Sequence, residues 1–76
     1  MSPKLPVVTD KDLARVVLRL GFQFRRQRGS HAIYIRAADH ARVVIPMHAG
    51  AAIKRKTLRA IIQDLKLTVD EFTAML

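Results

Sequence analysis

Gly21-Phe22-Gln23-Phe24-Arg25-Arg26-Gln27-Arg28-Gly29-Ser30-His31-Ala32-Ile33-Tyr34-Ile35 is the stretch on which the fold turns. Before it, Leu13, Val16, Val17 and Leu20 recur at i, i+3, i+4 and i+7, the spacing of one helical face. After Gly21 the apolar period drops from about 3.6 to 2. Phe22 and Phe24 alternate with Gln23 and Arg25, which predicts a strand. Gly29-Ser30 is a turn signal. His31 to Ile35 is a second strand, with His31, Ile33 and Ile35 on one face and Ala32 and Tyr34 on the other.

Outward from that hairpin the remaining elements follow. Toward the N-terminus, Thr9 can cap a helix, and Asp12 sits where its carboxylate answers the free amides and the positive dipole end. Gly21 ends that helix in the left-handed position. Residues 1–8, with Pro3 and Pro6, are expected to be extended. Toward the C-terminus, Ala37-Ala38-Asp39-His40 is a polar break of hairpin length. Arg42 to Ile45 is a third strand, closed by Pro46, which cannot donate to a ladder. Residues 47–52 form a loop around Gly50. Leu58, Ile61, Ile62 and Leu65 predict a helix running to Leu65 from about Lys54 or Thr57. Thr68-Val69-Asp70-Glu71 is a capping box that opens a short last helix carrying Phe72. The order is α-β-β-β-α(-α). Three antiparallel strands have one face to cover and amphipathic helices to cover it, so the expectation is an α+β two-layer sandwich. That order matches the double-stranded-RNA-binding architecture in reduced form, an analogy of fold that says nothing about chemistry, and residues 1–76 are expected to be one domain.

Composition narrows the function. There is no cysteine among the 76 residues, which excludes a disulfide scaffold and a thiolate metal site. No apolar run approaches the roughly 20 residues of a membrane span. Lys4 and Pro6 before a modest apolar stretch do not form a secretory signal, so the cytoplasm is the expected location. Fourteen Lys and Arg face six Asp and Glu, a net charge of +8. Residues 1–60 hold thirteen of the basic groups and three acids, a local balance of +10; residues 61–76 carry −2. Nine of the fourteen are arginines, suited to bidentate phosphate contact. Such a balance points to a polyanionic partner, although a charge surplus also serves solubility.

Three constellations carry possible chemistry. Arg25, Arg26 and Arg28 precede Gly29-Ser30, and His31 opens the next strand. Arginines grip phosphate, and an imidazole moves protons near neutral pH. RNA brings its own nucleophile, the 2′-hydroxyl, so a ribonuclease needs a base, cations for the phosphorane charge and an acid for the leaving oxygen. The plainer alternative is a hairpin with solvated arginines and an incidental imidazole. His48, in the loop after Pro46, is a second candidate acid or base, a phosphate contact, or a simple loop histidine. His40 beside Asp39 reads as a solvated turn residue. These histidines lack the spacing of a metal site, so neither metal nor cofactor is expected. Lys54-Arg55-Lys56, with Arg59 a turn later, places cations at a helix start, where backbone amides already favour anions. That run is either a backbone clamp or a solvated charge run. Tyr34 faces away from His31 and either stacks on a base or packs under a helix; packing is expected, with the three phenylalanines supplying the rest of the aromatic core.

Several segments together resemble the HicA toxins, also called YcfA-like proteins. They are Lys4-Leu5-Pro6, Leu20-Gly21-Phe22, Arg26-Gln27-Arg28-Gly29-Ser30-His31, Val44 to Gly50, Thr57-Leu58-Arg59-Ala60-Ile61 and Leu67 to Phe72. The resemblance runs from about residue 4 to residue 72. It implies an mRNA interferase with a truncated double-stranded-RNA-binding fold, whose active histidine after Gly-Ser corresponds to His31. It also implies a HicB-like antitoxin that covers the same surface and supplies the operator-binding part of the pair, so that the toxin alone is not expected to bind DNA. Where the family commonly has Lys-Glu-Leu after its glycine, Ala51-Ala52-Ile53 stand here. Lys56 replaces a small residue before the Thr-Leu-Arg helix. The basic group of the loop is thus displaced to residues 54–56. The expected function is a metal-independent endoribonuclease, with Arg25, Arg26, Arg28, Ser30, His48, Lys54 and Lys56 on the RNA and His31 catalytic. The alternatives are a non-catalytic RNA-binding module of the same fold and a protein-interaction subunit whose basic face docks on an acidic partner.

Overall fold

A computed structural model describes residues 4–76. The elements are α1 (Asp10–Arg19), β1 (Gln23–Arg28), β2 (His31–Arg36), β3 (Ala41–Pro46), α2 (Arg55–Asp64) and α3 (Val69–Ala74). The three strands form one antiparallel sheet in the order β1-β2-β3. This is the α+β arrangement expected, with α2 starting at Arg55 between the two positions considered. Lys4 to Val8 form neither helix nor strand, while Pro3 and the start of the expected extended segment lie outside the described residues.

Local chemistry accounts for the element ends. Thr9 and Asp12 form a reciprocal capping box at α1, and Thr68 and Glu71 form another at α3. Past Leu20, the amides of Gly21 and Phe22 donate back to Leu18 and Val17, with Gly21 at φ +91°. That is the paired bonding of a Schellman end. The β1–β2 turn puts its positive φ, +56°, at Gly29, the arrangement of a two-residue hairpin turn with glycine first.

The helices cover one face of the sheet. Leu13, Val16 and Val17 of α1, Leu58, Ile61 and Ile62 of α2, and Phe72 of α3 are buried with Ala32, Tyr34, Val43 and Ile45. Each large aliphatic side chain removed from water contributes about 1.5–3 kcal/mol. Both longer helices pack on β3, and every residue of β1 stays exposed. Phe24 therefore does not join the core as expected. It is 55% exposed and meets Tyr34 edge-on at 5.7 Å between ring centres, because no helix is seated above its strand. Phe22, just ahead of β1, is the buried one of the pair.

The strand β1 also departs from simple alternation. Phe24 pairs with Tyr34, yet the next pairing is Arg26 with Ile33, which leaves Arg25 as an extra residue in a bulge. Directly opposed residues share a face. Arg26 and Arg28 therefore lie on the outer face, with Ile33 and His31. Unbroken alternation from Phe24 would have put both on the helix side.

Candidate RNA-processing site

His31 begins β2 and is exposed. Its cross-strand neighbours are Arg28 on one side and Pro46 on the other. Pro46 has no amide to give, and the ladder continues one residue later, where the Met47 amide donates to the Ser30 carbonyl. The chain then turns through His48, Ala49 and Gly50. Ala49 and Gly50 both have positive φ, +49° and +86°, and the Ala51 amide closes the turn on the His48 carbonyl at 2.9 Å.

Asp10 holds this turn in place. Its side chain is buried, with 2% of its surface exposed. It accepts hydrogen bonds from the amides of Lys11 (2.7 Å), His48 (2.9 Å) and Gly50 (3.4 Å). Burial opposes ionisation of this carboxyl, but the Gly50, Lys11 and His48 amides outweigh it and hold the pKa below the usual aspartate value. Sequence reading missed this role. An acid in the first turn of a helix is already explained by the dipole, and nothing local shows that it reaches a loop 38 residues on.

The turn brings His48 to the same cleft as His31. The cleft has a volume of about 640 Å³ and lies between the outer face of β3 and the segment leading into α2. Lys54 and Thr57 also line it, so the first turn of α2 borders both imidazoles. Unlike α1 and α3, α2 has no side-chain cap and no acid in its first turn. Its N-cap residue is Lys54, followed by Arg55 and Lys56. The free amides and three cations make this end strongly attractive to an anion.

On the other side of His31 lies a shallower hollow of about 300 Å³, lined by Arg28, Arg42, Ile33 and Val44. Arg42 was read from the sequence only as the start of a strand. Its register opposite Ile35 puts it on the His31 face. Among the described residues, the ion pairs are Arg15 with Asp12 and Arg36 with Asp39. Arg25, Arg26, Arg28, Arg42, Lys54 and Lys56 have no carboxylate partner there, and all six are exposed. Ser30 is exposed in the turn beside them.

The other sequence candidates divide as follows. Arg25 is the bulged residue and does not take part in the strand pairing. Lys56 sits one residue inside α2, near but not within the cleft lining. His40 occupies the β2–β3 turn at φ +57°, at the far end of the strands from His31. Five residues of strand rise place it roughly 17 Å away. Tyr34 is buried on the helix side, and burial raises its pKa. Among the described residues no three His, Asp or Glu side chains gather as metal ligands do, and no helix is long and apolar enough to cross a membrane.

A search of curated proteins finds no match. The family model described as HicA toxin of bacterial toxin-antitoxin matches residues 11–67, from the first turn of α1 to three residues past the end of α2. That span includes β1 with its bulge, His31, the His48 turn and the basic start of α2. By that match the chain belongs to the HicA family, the toxin half of a bacterial toxin–antitoxin pair.

Proposed function

We propose that this toxin is an endoribonuclease that cuts mRNA at a phosphodiester link seated over His31. The observation that carries the reading is the position of His31. It is exposed on the uncovered sheet face, beside Arg28 in the adjacent strand and between two depressions that it helps to line.

The chemistry follows from what RNA supplies. A base removes the proton of the 2′-hydroxyl, whose oxygen attacks the adjacent phosphorus. The P–O5′ bond breaks, and an acid protonates the departing 5′-oxygen. The products are a 2′,3′-cyclic phosphate and a 5′-hydroxyl. His31 takes one of the two proton transfers. His48, brought to the same cleft by Asp10, is the candidate for the other. Arg26 and Arg28 on the outer face, Arg25 at the bulge, Ser30 in the turn, and Lys54 with Lys56 at the start of α2 hold the flanking phosphates and offset the charge of the phosphorane. The route needs no metal. Full activity in excess EDTA is the expected result, and loss of cleavage on chelation, restored by a divalent ion, would replace this mechanism with another.

The partner of the pair is proposed to be a HicB-like protein that occupies the same basic face. An unpaired cationic surface favours an acidic partner and speeds its association, and covering His31 blocks the substrate.

A further inference from the structure

The cleft beside His31 is more aliphatic than a phosphate clamp requires. Val44, Pro46, Ala51, Ala52 and Ile53 contribute to its lining. A phosphate or ribose hydroxyl set against those groups would give up water without a replacement partner. A nucleobase would not, because it has two apolar faces and a polar edge. The polar groups at the cleft, His31, His48, Lys54 and Thr57, can meet that edge. A volume of about 640 Å³ falls in the range of about 300–1,000 Å³ typical of small-ligand sites. The hollow on the other side of His31 is also largely aliphatic, but Arg28 and Arg42 border it beside Ile33 and Val44. A chain crossing His31 thus meets an apolar recess on one side and two guanidiniums on the other.

We propose that the cleft receives one unpaired nucleobase next to the link cut at His31, and that the small side chains of Ala51 and Ala52 set the room it has. The proposal rests on RNA being the ligand, as argued above. It assigns the choice of cutting position to the cleft and general affinity to the arginines. A paired base keeps its faces stacked and presents only edges in the grooves, so the site selects unstacked, single-stranded RNA. No Phe, Tyr or Trp lines the cleft, so the base is held by aliphatic contact, the imidazole rings and edge hydrogen bonds.

Two measurements test this. In the first, wild type, Ala52→Phe and Ala51→Leu digest the same RNA, and the ends are mapped. Both alanines are exposed, so larger side chains fill the cleft without entering the core. The expected result is a loss of about 10-fold or more at the favoured links, or a change of favoured base. Retention of the intact RNA should change by less than about 3-fold, because phosphate contacts dominate affinity. Unchanged cutting at the same links overturns the proposal. In the second, a 2′-O-methyl trinucleotide, which has no free nucleophile, is titrated while the methyl NMR signals of Val44, Ala51 and Ala52 are followed. An analogue lacking the central base is run beside it. Shifts that need the base support the site; equal shifts with both compounds, or none with either, overturn it. RNA cutting without base-dependent shifts leaves the ribonuclease standing and removes the base site. Base-dependent shifts in a protein that cuts no RNA do the reverse.

Discussion

At one end of the sheet Arg36 is held on three sides. Its guanidinium makes a two-pronged pair with Asp39 (2.9 and 3.0 Å), donates to the Leu20 carbonyl at 3.0 Å and lies 4.5 Å from the centre of the Phe22 ring. The hydrogen bonds that Arg36 donates to Asp39 raise the pKa of Arg36 and lower that of Asp39. At the other end Arg26 and Arg28 touch no carboxylate among the described residues. Each end also has an exposed histidine, His40 and His31. What separates them is whether the neighbouring charges are already satisfied. A neutralised end closes a hairpin and ties it to the end of α1. An unsatisfied end, next to a cleft, keeps its cations free for the polyanion proposed above.

Matched substitutions at the two ends test that contrast. The largest expected effect is between the histidines. His31→Ala should reduce RNA cleavage by about 10²–10⁴-fold, the usual share of a general acid or base, whereas His40→Ala should leave the rate unchanged. Equal losses, with both variants folded by circular dichroism, would erase the distinction between the two ends. Next come the arginines. Arg26→Ala and Arg28→Ala should each weaken RNA binding and lower the slope of log K against log salt by about 0.7. Arg36→Ala should leave that slope alone and lower the thermal midpoint instead. An Arg36 variant with wild-type melting but a reduced salt slope would mean that the paired end also binds RNA.

The smallest effect concerns Asp10, which links α1 to the His48 turn. Its pKa is lowered in the folded protein, so its contribution to stability is present above the unfolded carboxylate pKa, about 3.9, and is lost as pH falls through the lower folded value. Asp12, whose pKa is lowered first by the Thr9 amide, and Asp39 titrate in the same direction. Asp10→Asn should therefore melt earlier at neutral pH and lose less stability on acidification than the parent, as read by thermal melts from pH 6 to pH 2.5. Its cleavage rate should fall by less than that of His31→Ala, because it acts on His48 through the backbone. Parallel melting curves for variant and parent across that range would show that the carboxylate charge does not hold the turn.

Much of this was legible in the residues. The switch of period at Gly21 marked where helix gives way to strand, and the two capping boxes are complete within four residues each. The stop at Gly21 was visible for the same reason. The end of α2 was legible too, from its last apolar residue Leu65, which is the C-cap; what no residue announced is that Lys66 takes the left-handed position after it, at φ +58°. His31 stood out because a turn, an imidazole and three arginines are adjacent in the chain. Phe24 misled, since its alternation is that of a half-buried strand, and only the seating of the helices over β3 decides that it stays in water.

The sequence by itself determined the order of elements, the charge surplus and the strand opening at His31, because periodicity, capping and turn chemistry act over a few residues. Tertiary structure decided which arginines share a face with that histidine, since the bulge at Arg25 is defined only by pairing with β2. It also decided that His48 shares a cleft with His31, since that depends on a buried carboxylate 38 residues away. The first geometry exists only once the hairpin has paired, and the second only once α1 has packed against the loop after β3.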